Sequence, residues 1–141
     1  MGRALAAVSP EAAAVWQTAD EALGESISRL AWGGPAEELD LTVNAQPALL
    51  AASIAAQRAL EATLDGAGSR FGPPSYFAGH SMGQYSAMVA AGVLELGDAV
   101  RLVRERGRLM QASSGDGAMA AVIVLPEERL DELMAAGSPE D

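Results

Sequence analysis

The sequence contains no cysteine, no lysine and a single histidine, His80. Without cysteine there is no disulfide scaffold, no thiolate metal site and no cysteine nucleophile. Without lysine, Schiff-base chemistry and a P-loop are excluded, because both need its amine. One imidazole cannot form a histidine-rich metal site, so only carboxylates could hold a metal. We therefore expect neither a metal nor a redox cofactor.

Basic charge and long apolar runs are also scarce. The basic residues number nine, all arginine, against 19 acidic residues, and the formal net charge is −10 at pH 7. Nucleic acid binding needs a basic surface, which this composition does not favour. No apolar run approaches the ~20 residues that span a bilayer, and no signal peptide is evident. We expect a cytoplasmic protein without nucleic acid or membrane partners.

Helix and strand signals alternate along a chain of single-domain size, 141 residues, half of them hydrophobic. Helices are predicted from Pro10 to the residue before Gly24, over 26–31, 35–39, 47–65, 84–91 and 98–111, and from Pro126 to the residue before Gly137. Strands are predicted over 75–78 and 118–125. This alternation predicts an α/β fold. Because two strands are too few for a doubly wound sheet, we interpret the chain as a piece of a larger protein.

The strongest chemical signal is the run Gly79-His80-Ser81-Met82-Gly83, between a predicted strand and a predicted helix. The pattern G-x-S-x-G in that context is typical of a nucleophile elbow. There the serine backbone is strained so that its hydroxyl projects, and glycines on either side avoid a collision. Ser81 is the candidate nucleophile, and the N–H of Met82 can donate to an oxyanion. The alternative is a glycine-rich turn with an incidental serine.

A serine nucleophile needs a general base, and the sequence offers no conventional one. His80 is adjacent to Ser81, and neighbouring side chains in a tight turn point in different directions. We therefore interpret His80 as a packed or hydrogen-bonded neighbour of the site. No histidine follows Ser81, which excludes a hydrolase triad in the order serine, acid, histidine.

Arg106 stands out on the helix predicted over 98–111. At about 100° per residue, it lies in the middle of the apolar arc, whereas the other arginines and Glu105 lie on the opposite, solvated side. The apolar arc consists of Ala99, Leu102, Val103, Leu109 and Met110. A buried guanidinium needs an anionic partner. That partner is either an internal carboxylate or a carboxylate of the substrate, held in bidentate geometry.

Seven segments, in order, carry a family resemblance: GPAEEL (34–39), QPALL (46–50), GHSMGQYSA (79–87), AGV (91–93), DAVRLV (98–103), RG (106–107) and GAMAAV (117–122). They resemble the malonyl-CoA:acyl carrier protein transacylases. The resemblance implies ping-pong transfer, in which Ser81 takes the malonyl group from malonyl-CoA and the phosphopantetheine thiol of acyl carrier protein receives it. It also implies that Arg106 holds the malonyl carboxylate, that the Met82 N–H forms half of an oxyanion hole, and that Gln46 lies near the active site.

The resemblance also implies an incomplete chain. Residues 1–116 correspond to a hydrolase-like acyltransferase core without its first strand and its Gly-Gln-Gly loop. Residues 117–141 correspond to the first strand and helix of a ferredoxin-like subdomain. The catalytic histidine of the family follows that subdomain, so we expect the chain alone to have little or no transferase activity. Gln84 stands where many members have glutamate.

Three alternatives remain open from the sequence. A polyketide synthase acyltransferase domain has the same motifs. A serine hydrolase, such as a thioesterase or a patatin-like lipase, has the elbow but leaves Arg106 unexplained. A non-catalytic binding module would keep the elbow as scaffold only.

Docking of an acidic carrier protein by charge would require a local basic patch. Arg101, Arg104 and Arg108 are candidates for it, although a solvated helix face is the simpler interpretation.

Overall fold

The computed structural model describes residues 1–66, 72, 74–113, 126, 129 and 132. The regular elements over these residues are α1 (Arg3–Val8), α2 (Pro10–Leu23), α3 (Ile27–Gly33), α4 (Ala36–Leu39), α5 (Thr42–Gly66), α6 (Gly83–Ala90) and α7 (Leu96–Ser113). No helix within these ranges has both the length and the apolar character that crossing a membrane requires.

The predicted α/β fold is wrong for the described residues, which are helical and contain no strand. Residues 75–78, predicted as a strand, form an irregular exposed segment. A strand needs a neighbour that pairs its backbone N–H and C=O groups, and the helices around this segment offer none. The hydrolase-like sheet expected for the core is therefore absent from this part of the chain. The second predicted strand (118–125), most of the helix after it, and the domain boundary after residue 116 lie outside the described residues.

The first predicted helix is confirmed as α2. The Oγ of Ser9 accepts a hydrogen bond from the N–H of Ala12 at 3.1 Å, and Pro10 occupies the first turn. Gly24 ends the helix at φ 67°, a left-handed conformation in which its N–H donates to the carbonyls of Asp20 and Glu21. The short helix α1 was not predicted, because its six residues are too few to show a periodic pattern.

The start of α5 differs from its prediction. The helix begins at Thr42, and Pro47 lies inside it instead of at its first position. The N–H of Ala45 already donates to the carbonyl of Leu41 at 2.8 Å, so a helical turn has formed before the proline. Pro47 is the sixth residue of the helix, so it removes the one hydrogen bond that an N–H at this position would donate to the carbonyl of Val43. Gln46 is therefore part of the helix.

The core lies where α2, α5 and α7 meet. Trp16 of α2, Leu50 of α5 and Val100 of α7 are each at most 1% exposed. Alanines occupy many of the other buried positions: Ala12, Ala19, Ala48, Ala51, Ala55 and Ala99. Because alanine side chains are short, the helix backbones approach closely, and the position of each helix fixes that of its neighbours.

Two neighbouring leucines in α5 test this packing. Leu50 is fully buried, whereas Leu49 is 43% exposed. We expect Leu50→Ala to lower the free energy of unfolding by about 2–5 kcal/mol, because it leaves a cavity. Leu49→Ala should change it by only about 0.5 kcal/mol. Urea unfolding of both variants measures the difference, and equal losses would contradict the packing described.

Candidate functional site

The glycine turn lies between the irregular segment and the start of α6. It is closed by a hydrogen bond from the N–H of Gly83 to the carbonyl of His80 at 2.8 Å. Ser81 has φ +53°, and no other non-glycine residue in the described ranges has a positive φ. That conformation costs on the order of 1–3 kcal/mol and persists only where the surroundings impose it. The strained serine expected for an elbow is therefore confirmed.

The two flanking glycines are not equivalent. A Cβ on Gly79 would lie 1.9 Å from the carbonyl oxygen of Gly83, which no side chain tolerates. A Cβ on Gly83 would meet no described atom within 4 Å. The collision expected at both positions is confirmed for Gly79 and wrong for Gly83.

Arg106 reaches the serine. Its Nη2 donates to the Oγ of Ser81 at 3.1 Å, although the two residues lie on separate elements. Its Nη1 donates to the Oε1 of Gln46 at 2.6 Å. Within the described ranges no Asp or Glu forms an ion pair with Arg106. The internal carboxylate partner left open by the sequence is therefore absent there, and the guanidinium contacts two neutral oxygens.

Gln46 holds the guanidinium from the α5 side. Its side chain is buried, at 5% exposure. While Oε1 accepts from Arg106, Nε2 contacts the Sδ of Met110 at 3.4 Å. Both ends of the amide are thus occupied, which fixes its orientation. The residue predicted near the site is brought into direct contact with Arg106.

The burial of α7 differs from the predicted arc. Leu102 and Leu109 are 48% and 54% exposed. The buried face consists of Ala99, Val100, Val103 and Gly107. Arg106 is half-buried beside this face and not in its middle. The prediction failed because a hydrophobicity wheel favours large leucines, whereas a close helix contact favours small residues.

Gly107 is the site residue that sequence reasoning missed. A Cβ there would lie 2.6 Å from the carbonyl oxygen of Thr42 and 2.8 Å from the Cα of Val43. Only glycine lets α7 come this close to the first turn of α5, which directly precedes Gln46. The signal was a glycine inside a helix, directly after the unusual arginine.

His80 and Met82 occupy different positions relative to the serine. The His80 side chain is exposed, and it forms no hydrogen bond with Ser81. Met82 is the N-cap residue of α6, and its side chain packs against the core. No acceptor for the Met82 N–H is found among the described residues. A helix N-terminus presents N–H groups with a partial positive charge, so this one can receive an anionic oxygen.

The candidate docking arginines on α7 all have carboxylate partners. Arg101 pairs with Asp98 at 2.5 Å, and Arg108 pairs with Glu105 at 2.7 Å; all four are well exposed. The hydrogen bond from Arg108 lowers the pKa of Glu105, and the same bond raises the pKa of Arg108.

Arg104 was predicted on the solvated face, and this is wrong. Its side chain is only 20% exposed and forms an ion pair with Glu25. Its Nη1 also donates to the Oδ1 of Asn44 at 2.5 Å.

The turn places a serine of positive φ just before α6, with an arginine hydrogen-bonded to the serine oxygen. A family model described as the acyl transferase domain matches residues 1–139. The chain belongs to this family, which confirms the resemblance seen in its motifs.

Solved and curated relatives agree with this assignment. The malonyl CoA-acyl carrier protein transacylase of Bacillus subtilis is 44% identical over 136 residues, covering 94% of this chain and 40% of that protein. The crystal structure of acyl-carrier-protein S-malonyltransferase from Bartonella henselae is 40% identical with a TM-score of 0.85, covering 96% of this chain and 43% of that one. A malonyl-transacylase in complex with a holo type II PKS acyl-carrier protein is 41% identical with a TM-score of 0.69, covering 82% and 35%. The chain therefore spans 40% of the length of the B. subtilis relative.

Gly107 gives a test of the close helix contact. We expect Gly107→Ala to lower the free energy of unfolding by about 1–3 kcal/mol, because the methyl group has no space against α5. Gly97→Ala is the matched control in the same helix, since a Cβ there would meet only the Ala22 Cβ at 3.6 Å and the end of the Arg101 side chain. The control should be neutral or stabilising by up to about 1 kcal/mol. If urea unfolding shows both variants to be equally harmless, the close approach is wrong.

Proposed function

We propose that the complete protein transfers a malonyl group from malonyl-CoA to the phosphopantetheine thiol of acyl carrier protein, as a step of fatty acid biosynthesis. The observation that carries this proposal is the hydrogen bond from Arg106 to the Ser81 hydroxyl, 3.1 Å long. The names of the B. subtilis and Bartonella henselae relatives support the choice of substrates.

In the first half-reaction, the Oγ of Ser81 attacks the thioester carbonyl carbon of malonyl-CoA. A bond forms between Oγ and that carbon, the carbon–sulfur bond breaks, and coenzyme A leaves as its thiol. The negative charge that develops on the carbonyl oxygen faces the N–H of Met82 at the start of α6. A base that we expect outside the described residues takes the Ser81 proton and passes it to the departing sulfur, since His80 forms no bond with the hydroxyl.

Arg106 gives the site its acyl preference. In a malonyl ester of Ser81, only the ester carbon and one methylene group separate Oγ from the carboxylate carbon. A guanidinium that already reaches Oγ can therefore turn to that carboxylate and bind it with two N–H groups. Gln46 supports this orientation by accepting from Nη1 at 2.6 Å. An acetyl group has no carboxylate and gains nothing from Arg106.

In the second half-reaction, the thiol of the carrier protein attacks the malonyl ester and releases Ser81. The relative solved with a type II PKS acyl-carrier protein supports a carrier protein as acceptor. A polyketide pathway would involve the same reaction with a different carrier. A serine hydrolase is less well supported, because it gives Arg106 no role.

The role of Arg106 is testable in a completed enzyme, in which this chain replaces the matching segment of the B. subtilis transacylase. We expect Arg106→Ala to lower kcat/KM for malonyl loading by about 10–100-fold, because a charged hydrogen-bonded pair is lost. Acetyl loading should be retained or improved. Acyl-enzyme formation, followed by mass spectrometry, measures both, with Arg101→Ala as the control. Equal loss for the two acyl groups would rule out the carboxylate role.

Among the described residues no general base forms a hydrogen bond with Ser81, which leads to a second expectation. The isolated chain, incubated with malonyl-CoA, should acquire no acyl group at an enzyme-like rate, whereas the completed enzyme should acquire one that is absent from its Ser81→Ala variant. Intact-mass measurements over time compare them. Rapid turnover by the isolated chain would show that it contains a base that we have not identified.

A further inference from the structure

Two arginines on α7 reach two amide side chains on α5 in parallel. Arg104 donates to the Oδ1 of Asn44 at 2.5 Å, and Arg106 donates to the Oε1 of Gln46 at 2.6 Å. Residues two apart on a helix do not face the same side. The two pairs therefore lie on different sides of the contact between the helices, and Gly107 packs directly against α5 beside them. The first turns of α5 are thus held against α7 at more than one point.

The Arg104 pair belongs to a larger network. Its guanidinium also forms an ion pair with Glu25, which lies between α2 and α3. Asn44 in turn donates from Nδ2 to the carbonyl of Glu38 in α4 at 2.8 Å. Arg104 thereby connects α7 to the start of α5 and to the segment between α2 and α3, and Asn44 extends the network to α4.

A contribution to the stability of the fold does not explain why this network is present. Glu25 is 57% exposed, and ion pairs with an exposed partner contribute little. The Nε of Arg104 is buried without a partner among the described residues, which is unfavourable. The network instead fixes the orientation of the Arg104 guanidinium relative to Glu25 and Asn44, because this planar group contacts the two residues with two different nitrogens.

We infer that Arg104 is a positioning residue for Arg106. By fixing Asn44, it sets the place of the first turns of α5, and hence of Gln46, relative to α7. Gln46 then keeps the Arg106 guanidinium directed at Ser81. This inference rests on the proposed function, because it assigns to Arg104 an indirect role in the preference for carboxylate-bearing acyl groups.

The first measurement uses the isolated chain with its arginine side chains labelled with ¹⁵N. Rotation about the Cζ–Nη bonds of Arg106 should be hindered in the unaltered chain, because both Nη groups are hydrogen-bonded. We expect Arg104→Gln and Asn44→Ala each to release that rotation. Arg101→Gln is the matched control, since within the described part of the chain Arg101 pairs only with Asp98 of its own helix. Asn44→Ala removes one small side chain, so it decides the question if Arg104→Gln fails to fold.

The second measurement uses the completed enzyme with the same variants. We expect Arg104→Gln and Asn44→Ala to lower kcat/KM for malonyl loading about tenfold, mainly through KM, and to change acetyl loading by less than about twofold. Unchanged rotation of Arg106, or equal losses for malonyl and acetyl, would overturn the inference and leave Arg104 a structural role only. If Arg106→Ala itself shows no selective malonyl loss, the proposed function fails, and the rotation measurement still decides whether Arg104 positions Arg106.

Discussion

The hydrogen bond between the Arg106 guanidinium and the Ser81 hydroxyl is the contact on which the rest of the candidate site depends. It joins α7 to the glycine turn, and through Gln46 it extends to the start of α5. A positive charge held by two neutral oxygens is poorly compensated, because neither acceptor carries a charge. The charge therefore remains available to an anion, which under the proposed function is the acyl carboxylate on Ser81.

Backbone constraints decide where that guanidinium lies. The carbonyl oxygen of Gly83 lies 1.9 Å from the place that a Cβ of residue 79 would occupy. Only glycine at position 79 therefore lets the turn close under Ser81. At Gly107 the two helices touch through their backbones, so Arg106 starts close enough to reach both Gln46 and the turn. Each glycine makes room for a neighbouring residue of the candidate site. If α5 and α7 lay a few ångströms farther apart, the Arg106 guanidinium could not reach both Gln46 and Ser81.

Short sequence patterns predicted single residues of the site, whereas the contacts between those residues depend on how the helices pack. The cap at Ser9 and the strained Ser81 could be read from the sequence because each depends on a few neighbouring residues, whereas the predicted place of Arg106 in the middle of an apolar arc was wrong. The partner of Arg106 could not be read from a local pattern, since Gln46 is 60 residues away. The family resemblance placed Gln46 near the site but did not pair it with Arg106. The prediction of a strand over 75–78 was wrong because a strand forms only with a pairing partner, and a local sequence pattern does not show whether one is present.

The strain at Ser81 and the uncompensated charge at Arg106 both work against folding, so other parts of the chain must hold them in place. The buried face of α7, with Val100 and Val103, packs into the alanine-rich core against α2 and α5. That packing is apolar, and the Arg106 and Ser81 side chains take no part in it. The fold is therefore stabilised on one side of α7 while the site is built on another. A substitution in the core at Leu50 changes how much of the protein is folded, whereas a change at Asn44 or Arg104 acts on where the Arg106 guanidinium points.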